Sequence, residues 1–108
     1  MTREGFATIL SGACSTVFFD HAPLGTAVPY LTYTWEYNNN FGADDKVYQR
    51  IASITVQHYH KDYSDGSDLK AALDAADIFW ECESDYDSNE DLYIDTYTME
   101  VIENGEED

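Results

Sequence analysis

Basic residues are scarce in this chain. Five lysines and arginines stand against 22 aspartates and glutamates in 108 residues, a formal net charge of −17. Affinity for nucleic acid comes largely from cations that meet phosphates, so the shortage argues against direct binding of DNA or RNA. Cysteine is nearly absent as well. Cys14 and Cys82 lie far apart and show no metal-ligand spacing, which reads as two free buried thiols rather than a disulfide. Proline occurs only at Pro23 and Pro29, so most of the chain is open to regular structure. No apolar run has the length of a membrane span and no basic-plus-apolar leader is visible, so a soluble protein that works where it is made is expected, with no membrane partner. A phosphate-cradling glycine loop is missing, and no nucleophile signature surrounds Ser11 or Ser15. An enzyme is therefore not expected, and neither is a cofactor.

Apolar and aromatic residues are plentiful. Hydrophobic content is 44% and aromatic content 15%, with nine tyrosines, a composition that builds a folded core rather than a disordered chain. The length fits one domain, read as residues 1–102 with an acidic tail at 103–108. The charge is lopsided. Residues 1–61 hold five acids and four bases, whereas residues 62–108 hold seventeen acids and the single base Lys70. Such a half keeps a protein soluble. It also attracts a basic partner and keeps passing DNA from sticking.

Along the chain, Phe6, Ile9, Leu10 and Ala13 fall at i, i+3, i+4 and i+7, which predicts an amphipathic helix over residues 2–13 with Thr2 as its N-cap. A short β-rich edge strand is expected over 15–20, followed by a Pro- and Gly-containing loop over 21–29. Residues 29–62 then read as strand, polar loop and strand. In the first strand Leu31, Tyr33, Trp35 and Tyr37 form the better core face. In the second, over 50–60, Ala52, Ile54, Val56 and His58 are expected inward. Ser67 and Asp68 are expected to cap a helix over 69–76. A strand over 78–83 should pack Phe79 and Trp80 on the core, and 84–91 reads as an acidic turn. The last strand, 92–102, has apolar residues on both faces at its start, which predicts a bulge there or burial on both sides. The order α, β, β, β, α, β, β predicts an α+β fold: a single antiparallel or mixed β-sheet of four to five strands with two helices packed on one face. The opposite face, with Thr32, Thr34, Thr55, Gln57 and Tyr59, is expected to be free for contacts.

Several clusters invite a chemical reading. His58-x-His60, near Asp62, places two imidazoles on one strand face, as a metal site requires, yet no third ligand is specified, and the pair reads as two strand-end histidines. The run 62–68 resembles a calcium loop in composition, but its glycine is fifth and Leu73 holds the twelfth position, so it reads as a helix-capping turn. Asp85, Asp87, Glu90 and Asp91 form an exposed acidic cluster, the candidate for an acidic surface or lumen.

Residues 29–62 carry a resemblance. Pro29-Tyr30-Leu31-Thr32-Tyr33, then Asn40-Phe41-Gly42-Ala43-Asp44-Asp45-Lys46-Val47-Tyr48, then Gln57-His58-Tyr59-His60-Lys61-Asp62, the helix at 69–73 and the late strand with Tyr93 and Tyr97 resemble the small tail-completion, or tail-terminator, proteins of long-tailed bacteriophages and prophages. The resemblance covers most of residues 15–102, and the acidic tail departs from it. It implies a structural virion protein at the head–tail junction, assembled in the bacterial host cytoplasm. Such a subunit is expected to form a homo-oligomer, commonly a hexameric ring, that caps the tail tube protein and joins it to the head connector and neck, with DNA passing through unbound. Tyr30, Tyr37 and Tyr59 on the sheet, and Asn39, Asn40, Phe41, Asp44, Asp45 and Tyr48 in and beside the loop, are the candidate contacts with neighbouring subunits or partners. Two alternatives stay open: another neck component, such as a stopper or adaptor, and a small acidic inhibitor or DNA mimic that binds a basic host protein.

Overall fold

A computed structural model describes residues 1–37, 41–43, 46–61 and 66–103, with the backbone alone over 41–49. Helix α1 (Arg3–Ala13) starts where expected. Thr2 adopts an extended backbone and its hydroxyl accepts from the Gly5 N–H at 3.0 Å, which satisfies one of the N–H groups that the first helical turn leaves without a partner. Its inward stripe buries Phe6 and Leu10 completely.

The strands are β1 (Val17–Phe19), β2 (Tyr30–Tyr33), β3 (Phe41–Ala43), β4 (Lys46–His60), β5 (Trp80–Asp87) and β6 (Leu92–Glu103), with helix α2 (Ser67–Ala75) between β4 and β5. They form one mixed five-stranded sheet in the order β1-β2-β4-β6-β5. Only the edge pair β1–β2 is parallel. β3 lies off this path and pairs with the start of β4. The fold is α+β, as the order of elements predicts.

Eleven consecutive pairs join β4 to β6, from Arg50↔Glu103 to His60↔Tyr93. Alternation along this ladder separates the faces. Ala52, Ile54, Val56, His58 and His60 are buried, opposite Val101, Met99, Tyr97, Asp95 and Tyr93. Both helices cover this face, where Leu69 and Leu73 of α2 and Phe6 and Leu10 of α1 join Leu31, Tyr33 and Tyr97 in one core. The Phe6 ring meets Tyr33 at 6.0 Å and Trp35 at 5.9 Å between centroids, tilted in both cases. Tilted aromatic pairs set the negative face of one ring towards the positive edge of the other.

Several expectations need correction. The first strand of the central hairpin stops at Tyr33 instead of running to Tyr37. The Thr34 hydroxyl accepts from the Thr55 N–H at 3.3 Å, so a side chain takes a ladder position there, and only an isolated bridge, Glu36↔Ser53, follows. Tyr37 is exposed rather than inward. Phe79 is 81% exposed, and Ile78 takes the buried position. The reason is the joint after α2, where Asp77 is left-handed at φ 58° and resets the phase of the following strand. β5 runs to Asp87, so residues 84–87 belong to a strand and the turn is only 88–91. There the Asp87 carboxylate accepts from the Asn89 and Glu90 N–H groups at 3.0 and 3.4 Å, an Asx-type turn. The ladders on both sides of β6 run without a register shift, so the bulge is absent and Leu92, Tyr93 and Ile94 are half-buried instead. β6 also takes in Glu103, which belongs to the sheet and not to the tail: it accepts from the Tyr37 hydroxyl at 2.6 Å and faces the Arg50 guanidinium at 3.7 Å. Finally, residues 41–43 are a strand with a register shift at Gly42 where a loop was expected.

Helix α2 starts at Ser67 with Gly66, not Ser67–Asp68, at the cap position, and no side chain caps it. Gly66 has φ +128°, and a Cβ there would lie 3.2 Å from the Tyr97 hydroxyl. Glycine alone adopts that backbone without strain, and the close approach sets α2 directly against β6. Gly66→Ala should therefore destabilise the chain by about 1–3 kcal/mol. Thermal melting is the check: a drop of several degrees is expected, and an unchanged midpoint would mean that the entry to α2 relaxes freely.

Candidate functional site

The sheet has a second face, away from the helices, that the core cluster does not use. Its rows run across the strands. Thr34, Thr55, Thr98 and Glu81 form one, and Phe18, Thr32, Gln57, Thr96 and Glu83 form the next. Tyr30, Tyr59, Ile94 and Asp85 follow. Hydroxyl and amide groups bond along and between these rows: Gln57 Nε2 donates to Thr96 Oγ1 at 3.4 Å, and the Tyr59 hydroxyl donates to Gln57 Oε1 at 2.9 Å. The β-branched threonines suit a pleated surface that is only half covered. A groove of about 540 Å³ crosses the face, with Thr34, Thr55 and Thr98 at its floor and Glu36, Glu81, Glu100 and Phe79 among its lining.

Charge grades across the face. β5 is the sheet's edge, and Glu81, Glu83, Asp85 and Asp87 all point from it to the same side, at a spacing of about 6.6–6.8 Å along the strand. Near β1 and β2 the surface is aromatic. Tyr30 stacks on Tyr59 at 4.6 Å with 18° between the planes, and Phe18 meets Tyr30 edge-on at 6.2 Å. Burial pushes the Tyr30 phenol above its ordinary range, with Tyr59 and Glu90 adding to the shift. Arg3 of α1 lies over the Phe19 ring of β1 at 4.7 Å.

The structure brings Tyr30 and Tyr59 together and leaves Tyr37 apart from them. Tyr37 bonds to Glu103 and accepts from Trp35 Nε1 at 3.0 Å. The carboxylate bond to Glu103 is the main cause that raises its phenol above the ordinary range. Asn39, Asn40, Asp44 and Asp45 lie outside the described residues, and of Phe41 and Tyr48 only the backbone is described, in β3 and β4. Among the acids, Asp85 and Asp87 stand on the β5 row, while Glu90 and Asp91 sit in the turn, where Asp91 accepts from the Tyr86 hydroxyl. That bond raises the Tyr86 phenol. Phe79, expected inside, is instead an exposed aromatic at the groove, and position-by-position alternation gave no sign of it.

On the covered face, His58 and His60 meet a residue that their own segment does not contain. Asp95 lies opposite His58 in the ladder, and His60 Nε2 stands 2.8 Å from Asp95 Oδ2. All three are buried, at 6%, 2% and 7% exposure. Asp62, the neighbour considered from sequence, lies outside the described residues. Both cysteines are free and half-buried, and no described helix is long and apolar enough to cross a membrane.

No protein-family model matches the chain, and no curated protein matches it. Function therefore rests on the geometry and on the resemblance of residues 29–62.

The acidic row predicts a chain whose stability depends on salt. Four like charges on one strand edge, in a chain of net charge −17, repel one another most when screening is weak. The melting temperature should rise as sodium chloride increases from low to physiological strength and above. The double variant Glu83→Gln, Asp85→Asn should flatten that rise. An equal salt response in parent and variant would place the dominant repulsion elsewhere.

Proposed function

We propose that the chain is a ring-forming structural subunit at the head–tail junction of a long-tailed bacteriophage, a tail-terminator or tail-completion protein. The observation that carries the reading is the division of labour in the fold. One face of the sheet is consumed by the core, while on the other Thr32 is buried but Thr55, Gln57 and Tyr59 stay partly exposed, and the β3–β4 arm pairs off the main sheet. β4 is 15 residues long, and its first part pairs with β3 instead of the main sheet. An arm of that kind contributes little to a single chain and is well placed to reach a neighbour.

In a closed ring each subunit meets the next through a head-to-tail interface. The arm and the Tyr30–Tyr59 end of the open face supply the contacts. The ring seats on the finished tail tube, stops further addition of tube subunits, and presents its other side to the head connector. Six copies would carry roughly 100 negative charges, which repel one another unless the partners or salt offset them. Acids turned towards the lumen, with Asp85, Asp87, Glu90 and Asp91 foremost, let DNA pass without adhering. No step of this role needs a catalytic group or a cofactor.

The β5 row also favours a second reading. A line of evenly spaced carboxylates is what a small acidic inhibitor would offer a basic host protein in place of DNA phosphates. The neck position also admits a stopper or adaptor.

Negative-stain imaging and a phage lacking the gene separate these readings. The terminator reading expects six-fold rings from purified protein and, in its absence, tails of abnormal length. Tails of normal length that fail to join heads would favour a stopper or adaptor. A monomer at all concentrations that binds a basic nuclease tightly would favour the inhibitor.

A further inference from the structure

We propose that His58, His60 and Asp95 form a binding site for a divalent transition-metal ion of the zinc class. The site lies between the sheet and α2, and it is independent of the assembly reading above. One ligand atom from each of the three residues falls within a sphere where all separations are 4.8 Å or less. Zinc binds nitrogen and carboxylate oxygen at about 2.0–2.2 Å in tetrahedral sites, so two ligands on one ion stand about 3.3–3.6 Å apart. Ligand atoms that lie within 4.8 Å of one another reach such spacings by side-chain movements of up to about 1.5 Å. His60 and Asp95 are already in contact at 2.8 Å. The two imidazoles stack with centroids 4.4 Å apart and 28° between planes, which keeps both rings beside the same point.

The backbone fixes this arrangement. His58 and His60 are alternate residues of one strand and share its covered face, and the β4–β6 register brings Asp95 directly across from His58. Every other inward position of β4 from Ala52 to Val56 is apolar and buried. Placing two imidazoles and a carboxylate next in that row is costly in an apolar setting unless their polar atoms are engaged. His60 and Asp95 already engage each other at 2.8 Å, and a bound cation would hold all three groups at one point. Imidazole nitrogen with one carboxylate oxygen is a donor set for zinc-class ions rather than for magnesium or calcium, which prefer oxygen alone.

Two further features fit a site of this kind. Tyr97 is fully buried, and its hydroxyl has no hydrogen-bond partner among the described residues. The Cys82 thiol is close enough to perturb that hydroxyl but does not meet hydrogen-bond geometry. The same hydroxyl borders the Asp95 carboxylate around Gly66, where a metal-bound water would find a partner. In addition, a cavity of about 260 Å³ reaches His58 between Cys14, Gly66, Ser67 and Asp68, giving an ion a route inward. With three protein ligands, the fourth position belongs to water, as in open zinc sites.

The test uses the full chain, free of any histidine tag, stripped with a chelator and titrated with zinc chloride in excess magnesium. Histidine ring resonances are followed by NMR. Two of the three histidines should shift, saturating at one zinc per chain, while His21, whose side chain is 81% exposed beside Asp20, stays in place. Cobalt(II) should give visible absorption of a low-coordinate nitrogen–oxygen site, and zinc should raise the melting temperature. Asp95→Asn should weaken zinc binding by at least about tenfold; if that variant does not fold, the NMR of the parent chain decides. Ring resonances of His58 and His60 that stay unmoved at saturating zinc would overturn the proposal and leave a hydrogen-bonded histidine–aspartate cluster. So would undiminished binding by folded Asp95→Asn.

Discussion

The β4–β6 ladder is the constraint on which the rest of this molecule depends. Its register decides which residues share the covered face. Because side chains alternate with period two, a one-residue slip of β4 would turn Ile54 and Val56 outward and bring Thr55 and Gln57 into the core. Such a slip would forfeit most of the buried apolar surface, which is why the pairing is specified so strongly. The same register sets His58 across from Asp95 and brings Tyr97 under Gly66. The left-handed glycine in turn lets α2 approach β6, and α2 closes the core with Leu69 and Leu73.

Charge is arranged around that ladder rather than within it. β2, β4 and β6 hold most of the buried residues, while β5 at the edge carries the acidic row. β5 still anchors itself. Its Trp80 packs on Tyr97 at 5.5 Å, donates to Asp74 at 2.9 Å, and lies under the Lys70 ammonium at 5.9 Å. Charged residues on an edge strand also discourage pairing with a stray strand of another chain. The acidic edge is thus suited to stay apart from neighbours, and in the proposed assembly the aromatic end of the open face and the β3–β4 arm would supply the contacts.

Much of the fold was legible because its signals are local. Thr2 and the spacing of Phe6 and Leu10 define α1, and the alternation from Ala52 to His58 gives the inward face of β4. What escaped was set by distant pairing. Eight residue pairs with β6 hold Trp80–Asp87 extended despite the weak strand preference of its acids, because pairing outweighs propensity. Phe79 turned outward because the left-handed Asp77 reset the strand's phase. Asp95 joined the two histidines from 35 residues away. A charge between Tyr93 and Tyr97, on the inward face of the last strand, was the only sequence signal of it.

Hydrogen exchange on dispersed and assembled protein tests the central claim most directly, because it locates the assembly surface without prior choice of residues. Amides of β3, of the β4 segment paired with it, and around Tyr30 and Tyr59 should exchange more slowly in the assembly. Those of Trp80–Asp87 should be unchanged. Protection confined to β5, with the arm exchanging as before, would contradict the account.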